Sequence, residues 1–270
     1  MKKLFIAFSA LALVFSSCST SNTDPDPSTS STVLVSKIIY TTDSGNVTTT
    51  NFNYNGNKLT TAVDSDGYTE VYTYNGDLIT KIEEFQGTTT TPDNSETFTY
   101  TADEKVASYT EISYGTSTIT GVRYVYAYNA DGTISISRFN GNATSQTVLA
   151  STGKAFFTNG QISGVEVYYP ATASTAAYTS SVSYVYDTKL NAASNITGFS
   201  KLILQGYDAG LGGNAHNLLS ATRMRGTTIS STDVTTFTYN SSNYPVSDSN
   251  TNTYISTPNS VHTSTQQYFY

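Results

Sequence analysis

Phe52-Asn53-Tyr54-Asn55-Gly56-Asn57-Lys58-Leu59 is followed, twenty positions later, by Tyr72-Thr73-Tyr74-Asn75-Gly76-Asp77-Leu78. Both stretches read as two aromatics one residue apart, an Asn-Gly pair and then an aliphatic residue. The alternation extends backward: Thr48, Thr50, Phe52 and Tyr54 share one parity, as do Tyr68, Glu70, Tyr72 and Tyr74. Period-two patterning rich in Thr, Tyr and Val is the signature of a strand. Asn-Gly accepts the positive φ angles of a tight two-residue turn. Leu59 and Leu78 then open return strands, placed to pack against the aromatics across a hairpin.

The unit recurs along the chain. Aromatic pairs stand at Phe52/Tyr54, Tyr72/Tyr74, Phe98/Tyr100, Tyr126/Tyr128, Tyr184/Tyr186, Phe237/Tyr239 and Tyr268/Tyr270, with Phe156-Phe157 a degenerate copy. Successive first members are separated by 20, 26, 28, 30, 28, 53 and 31 residues. The interval of 53 spans about two units and predicts a disguised copy between residues 190 and 236. Sequential hairpins make an antiparallel meander. With about 14 to 18 strands, such a sheet curls or closes on itself. The expected fold is therefore all-β: an antiparallel meander of repeated hairpins forming a curled sheet or barrel-like single domain over residues 33–270. One or two helical turns are expected at Gly213–Leu219.

The hairpins resemble the YD repeats of RHS-type proteins, although most copies place Asn, and only Tyr186-Asp187 an acid, after the second aromatic. With Cys18, Tyr186–Asn191, Asn240–Ser247 and the closing Tyr268-Phe269-Tyr270, the arrangement also resembles a family of Bacteroidota lipoproteins of unknown function. That resemblance implies a porin-like fold and carries no activity with it.

The N-terminus has its own grammar. Met1-Lys2-Lys3, an apolar run from Leu4 to Phe15 and then Ser16-Ser17-Cys18 follow the basic, apolar, small-residue order of a secretory signal. The apolar run is too short to span a bilayer. Cys18 is the single cysteine of the chain and stands at the expected cleavage position. It has no internal partner for a disulfide. The arrangement resembles a bacterial lipoprotein signal, with Phe15 where Leu is commonest, and implies removal of residues 1–17 and lipidation of Cys18. Ser19, rather than an inner-membrane-retaining Asp, implies an outer-membrane lipoprotein on its periplasmic or surface side. Residues 18–32 then form the lipidated cysteine and a polar tether that buries nothing.

Composition excludes some classes of function. The chain carries a net charge of −7, and −9 once Lys2 and Lys3 leave with the signal. It has no basic footprint for phosphates, so nucleic acid is not expected as a partner. His216 and His262 have no nucleophile motif beside them, and no cofactor is implied. The turn Asp64-Ser65-Asp66-Gly67 with Glu70 offers a weak calcium candidate in Asp64, Asp66 and Glu70, and equally a plain hairpin turn. The tyrosine ladder, represented by Tyr72, Tyr74, Tyr124 and Tyr126, either stacks on a ligand or packs the sheet.

The expected function is a lipid-anchored, non-enzymatic binding or structural module of the cell envelope, taking a carbohydrate, a hydrophobic molecule or a partner protein. Two alternatives accompany it: an outer-membrane β-barrel and a polysaccharide-acting hydrolase. Against the membrane barrel stand strand faces rich in Thr, Ser, Asn and Lys where lipid-facing apolar residues belong.

Overall fold

The computed structural model describes residues 32–115, 119–205, 213–255 and 258–270. The signal segment, Cys18 and the tether up to residue 31 lie outside the described residues. Sixteen strands run in chain order: β1 Lys37–Thr42, β2 Val47–Asn55, β3 Lys58–Asp64, β4 Tyr68–Asn75, β5 Leu78–Gln86, β6 Asn94–Tyr100, β7 Val106–Tyr114 and β8 Ile119–Tyr128. They continue as β9 Ile134–Gly141, β10 Gln146–Thr158, β11 Gln161–Tyr169, β12 Tyr178–Leu190, β13 His216–Arg225, β14 Thr228–Tyr239, β15 Pro245–Tyr254 and β16 Ser260–Phe269. Each pairs antiparallel with its sequence neighbours, and β1 pairs with β16 through Lys37↔Phe269 and Ile38↔Tyr268, so the sheet closes into a barrel.

The aromatic pairs mark every even-numbered strand near its C-terminal end, β2 through β16. The turns that follow gather at one end of the barrel. Gly56 and Gly76 there have φ of 59° and 55°, the left-handed region that the Asn-Gly pairs were read to require. Among its described residues the interval of 53 holds no disguised copy. It holds β13, an ordinary return strand, and a long connection between β12 and β13 that replaces a tight turn. The expected helix at Gly213–Leu219 is likewise corrected: His216 onward is strand, because Leu218 and Ala221 pair with Tyr186 and Tyr184 of β12. Among the described residues the helical turn is a short 3-10 turn, Phe199–Lys201, within the long connection.

That connection folds inward. Ile196, Leu202 and Leu204 are buried. Thr197 N–H donates to the Asn57 carbonyl at 2.9 Å, and Asn195 Nδ2 donates to the Val33 carbonyl at 2.8 Å and to the Tyr244 hydroxyl at 2.7 Å. Tyr126 hydroxyl donates to the Leu204 carbonyl at 3.4 Å. Residues 191–205 thus form a plug at the end of the barrel that carries the Asn-Gly turns. The chain enters the barrel at that same end, where Val35 packs with Leu59 and Ile196.

The two faces of the wall differ sharply. Inside, Phe98, Tyr109, Tyr126, Ile136, Val165 and Tyr184 belong to one buried cluster with the plug's Leu202 and Leu204. Outside, Asn51, Asn53, Thr73, Thr97, Thr99, Thr236, Thr238 and Thr265 are exposed. Following register across strands, one outer row reads Thr73, Lys81, Thr97, Thr110, Arg123. Another reads Val185, Ser220, Val234, Thr251, Thr263.

Candidate functional site

Between the plug and the inner wall lies a cavity of about 610 Å³. Its apolar side is set by the plug residues Ala192, Ala193, Ile196 and Phe199 together with Phe52, Leu59, Tyr72, Phe237 and Tyr268 from the wall. Strand alternation explains what stands beside them. Two residues before the first aromatic of a pair is the same face, one step further from the plug. On β4 and β6 that step brings in Glu70 and Glu96, on β14 Thr235 and on β16 Gln266, all cavity-lining. Glu84 of β5, Asn94 of β6 and Asp248 and Asn250 of β15 add to the polar side.

Each acid has a defined setting. Glu70 accepts the Tyr72 hydroxyl at 2.5 Å. Glu96 accepts the Tyr109 hydroxyl at 3.1 Å and, on its other oxygen, Gln205 Nε2 from the plug. Asp248 accepts the Tyr268 hydroxyl at 2.5 Å. Burial pushes the Glu96 carboxyl up to about 7, with Glu111 and Glu70 adding to the rise while Tyr109 and Gln205 oppose it. Burial also raises Glu84, reinforced by Glu70, Asp93 and Asp64. Glu70 is the direct cross-strand partner of Glu84, and Glu96 of Glu111. Such like-charge pairs oppose folding.

The tyrosine ladder faces inward. Tyr72 lines the cavity and stacks on Phe199 of the plug with ring centroids 5.8 Å apart. Tyr74 packs against the inner cluster beside Ile79. Tyr124 stacks on Tyr109 at 5.7 Å and accepts Arg138 Nε at 3.2 Å, and Tyr126 is held to the plug at Leu204. Asp64 Oδ1 accepts the Asp66 and Tyr68 N–H groups, each at 2.9 Å, which is turn chemistry, while Asp66 Oδ2 accepts the Thr48 hydroxyl at 2.8 Å. Glu70 points into the lumen instead, so these three acids serve separate roles. Among the described residues no group of three or more His, Cys, Asp or Glu is placed to hold a metal ion.

The plug, Glu84, Glu96 and Asp248 were not singled out from sequence as one site. The signal for Glu96 was present in its parity with Phe98 and Tyr100. His216, within the segment expected to be helical, begins β13 and lines the cavity, its Nδ1–H donating to the Lys189 carbonyl at 2.9 Å.

The chain is thus a closed, antiparallel, sixteen-stranded β-barrel with a plugged lumen. Its fold is shared by solved structures of porin-like proteins. One from Bacteroides vulgatus superposes with a TM-score of 0.56 at 16% identity, over 88% of this chain and 98% of that one. Another from Bacteroides uniformis gives 0.50 at 12% identity, over 87% and 97%. No protein-family model and no curated protein matches the chain. The barrel closure and these likenesses bear out the barrel-like, porin-like form of the expected fold, which is also the fold of the membrane-barrel alternative.

Proposed function

We propose that the protein is an envelope-associated barrel that binds a small ligand in its lumen and does not conduct solutes. The observation that carries this reading is the plug. Residues 191–205 fill the end of the barrel and leave a cavity of about 610 Å³ whose size and mixed lining suit a drug-sized molecule. A diffusion pore needs a continuous aqueous lumen. Here Leu202, Leu204, Tyr126 and Tyr184 are buried in one inner cluster.

The outer row that crosses β4 to β8 supports a barrel standing in water. A transmembrane barrel presents an apolar band about 25 Å tall, and a charge at mid-bilayer costs roughly 2–4 kcal/mol. The row Thr73, Lys81, Thr97, Thr110, Arg123 has the opposite character. A lipid on Cys18, joined through residues 19–32, would hold such a barrel at the outer membrane. Membrane insertion is the second reading, favoured by closure with sixteen antiparallel strands and by the porin-like neighbours.

Two measurements separate these readings. The chain from Ser19 onward, purified without detergent, is expected to be monodisperse and rich in β-structure, and to give no channel conductance in planar bilayers. Aggregation without detergent, together with stepwise conductance after detergent reconstitution, would overturn the proposal in favour of the inserted barrel.

A further inference from the structure

We infer that the lumen ligand is a cation carried on an apolar body, such as an aryl or alkyl amine; this rests on the lumen-binding reading above. The enclosure itself has an apolar side, where Phe199 stacks on Tyr72 next to Ile196 and Phe52, fit to hold an aromatic or aliphatic body. Aromatic faces also attract cations. Opposite in character is the wall of β4 to β6. Glu70, Glu84 and Glu96 all line the cavity, and the described lining residues include neither lysine nor arginine.

The register gives this charge a cost that a ligand would relieve. Glu70 and Glu84 are direct cross-strand partners, as are Glu96 and Glu111, so two like-charge pairs sit side by side on the inner wall of four consecutive strands. Among the described residues, the inward-facing arginines are engaged elsewhere: Arg138 with Tyr124, Arg223 with Asp233, and Arg225 over the Tyr178 ring. Glu70 and Glu96 accept hydrogen bonds from Tyr72, Tyr109 and Gln205, all neutral donors. An ammonium group seated between Glu70, Glu84 and Glu96 would gain charge-assisted hydrogen bonds in a low-dielectric setting. A neutral polyol would leave the excess negative charge uncompensated.

The test is calorimetric titration of the purified protein with three matched probes, 4-phenylbutylamine, 4-phenyl-1-butanol and 4-phenylbutyrate, and with cellobiose and calcium chloride as further arms. The amine is expected to bind at least tenfold more tightly than the alcohol, and the carboxylate more weakly than either. Glu84→Gln removes one like charge, so it is expected to raise the apo Tm while reducing the amine's advantage over the alcohol several-fold. A variant that had merely lost its fold would instead lose Tm and all binding together. Equal binding of amine and alcohol, or binding of cellobiose alone, would overturn the cationic class and leave the lumen-binding reading standing. Binding of calcium with no binding of the amine would replace the organic cation by a metal ion. Binding of none of the five would overturn the inference, while the conductance and solubility measurements would still decide the lumen reading separately.

Discussion

The hydroxyl of Tyr128 donates to the backbone carbonyl of Val106 at 3.0 Å, one hairpin back in the chain. Tyr100 does the same to Ile79, Tyr270 to Pro245 at 2.9 Å, and Tyr54 reaches Val35 at 2.7 Å. The second aromatic of the pair is therefore most often tyrosine for a stated reason. In these four copies the hydroxyl ties the hairpin to the segment before it. The bonds are partly buried, so losing one costs about 0.5–1.5 kcal/mol. Tyr128→Phe and Tyr100→Phe are each expected to lower the urea midpoint accordingly, with the m-value unchanged. The double variant is expected to be additive, because the two bonds share no atom. A change within error for both would show the hydroxyls to be replaceable by water.

Gly198 allows the plug to seat. Its φ is +85°, and a Cβ there would lie 2.8 Å from the Asp77 carbonyl oxygen. The left-handed conformation alone costs a non-glycine residue about 1–2 kcal/mol, and a backbone oxygen cannot rotate away as a side chain would. Gly198→Ala is expected to destabilise the protein by about 2–3 kcal/mol. The loss should be concentrated in the plug, seen as faster amide hydrogen exchange at Phe199 and Leu202 than in β14 and β15. Uniform exchange throughout the barrel would contradict the separate seating of the plug.

The Glu96 carboxyl, raised by burial from an ordinary 4.5 to about 7, makes stability depend on pH with a definite sign. A carboxyl with a raised folded-state pKa binds its proton more tightly in the folded protein. Its favourable contribution is therefore complete below about pH 4.5 and is lost as pH rises through about 7. Glu84 is shifted in the same direction. Glu96→Gln mimics the protonated side chain, so the stability difference between variant and wild type should grow in the variant's favour from pH 5 to pH 8. A flat difference across that range, in denaturant titrations at constant salt, would count against the shift. Because Gln205 of the plug donates to Glu96, the same titration should alter amide exchange at Leu204 and Gln205.

Local chemistry made much of this barrel legible. Asn55-Gly56 and Asn75-Gly76 specify tight turns, Thr236-Phe237-Thr238 specifies a strand with one dry face, and repetition of that unit implies a sheet long enough to close. Closure itself is not local. The pairing of Lys37 with Phe269 joins residues more than two hundred positions apart, and no periodicity encodes it. The plug was illegible for a different reason. Ile196, Phe199, Leu202 and Leu204 follow neither a two- nor a 3.6-residue period, because they pack against a concave wall and not on one face of a regular element. The inner acids were readable by parity with the aromatics, yet their juxtaposition needed the register between strands.

Asp187 shows why one copy of the repeat departs from Asn. In the other hairpins the chain turns back at once; here β12 loses its regular register after Tyr186, leaves for the plug after Leu190 and returns at His216. The Asp187 carboxylate bridges that gap. Oδ1 accepts the Lys189 and Asn217 N–H groups, each at 3.0 Å, and Oδ2 accepts Asn217 Nδ2 at 3.1 Å and the Tyr239 hydroxyl from β14. A neutral amide offers one acceptor oxygen in place of two, and its NH2 would face the Asn217 and Tyr239 donors. Hydrogen bonds to a charged group contribute about 1.5–3 kcal/mol each, and stranding a buried donor costs a further 1–3 kcal/mol. Asp187→Asn is therefore expected to destabilise the barrel by about 2–4 kcal/mol. Tyr239→Phe alone should cost less, and adding it to Asp187→Asn should cost almost nothing more, because the bond it removes is already lost. A double-mutant cycle read by urea denaturation measures that coupling directly, and full additivity of the two substitutions would sink the assignment of Asp187 as the link between β12, β13 and β14.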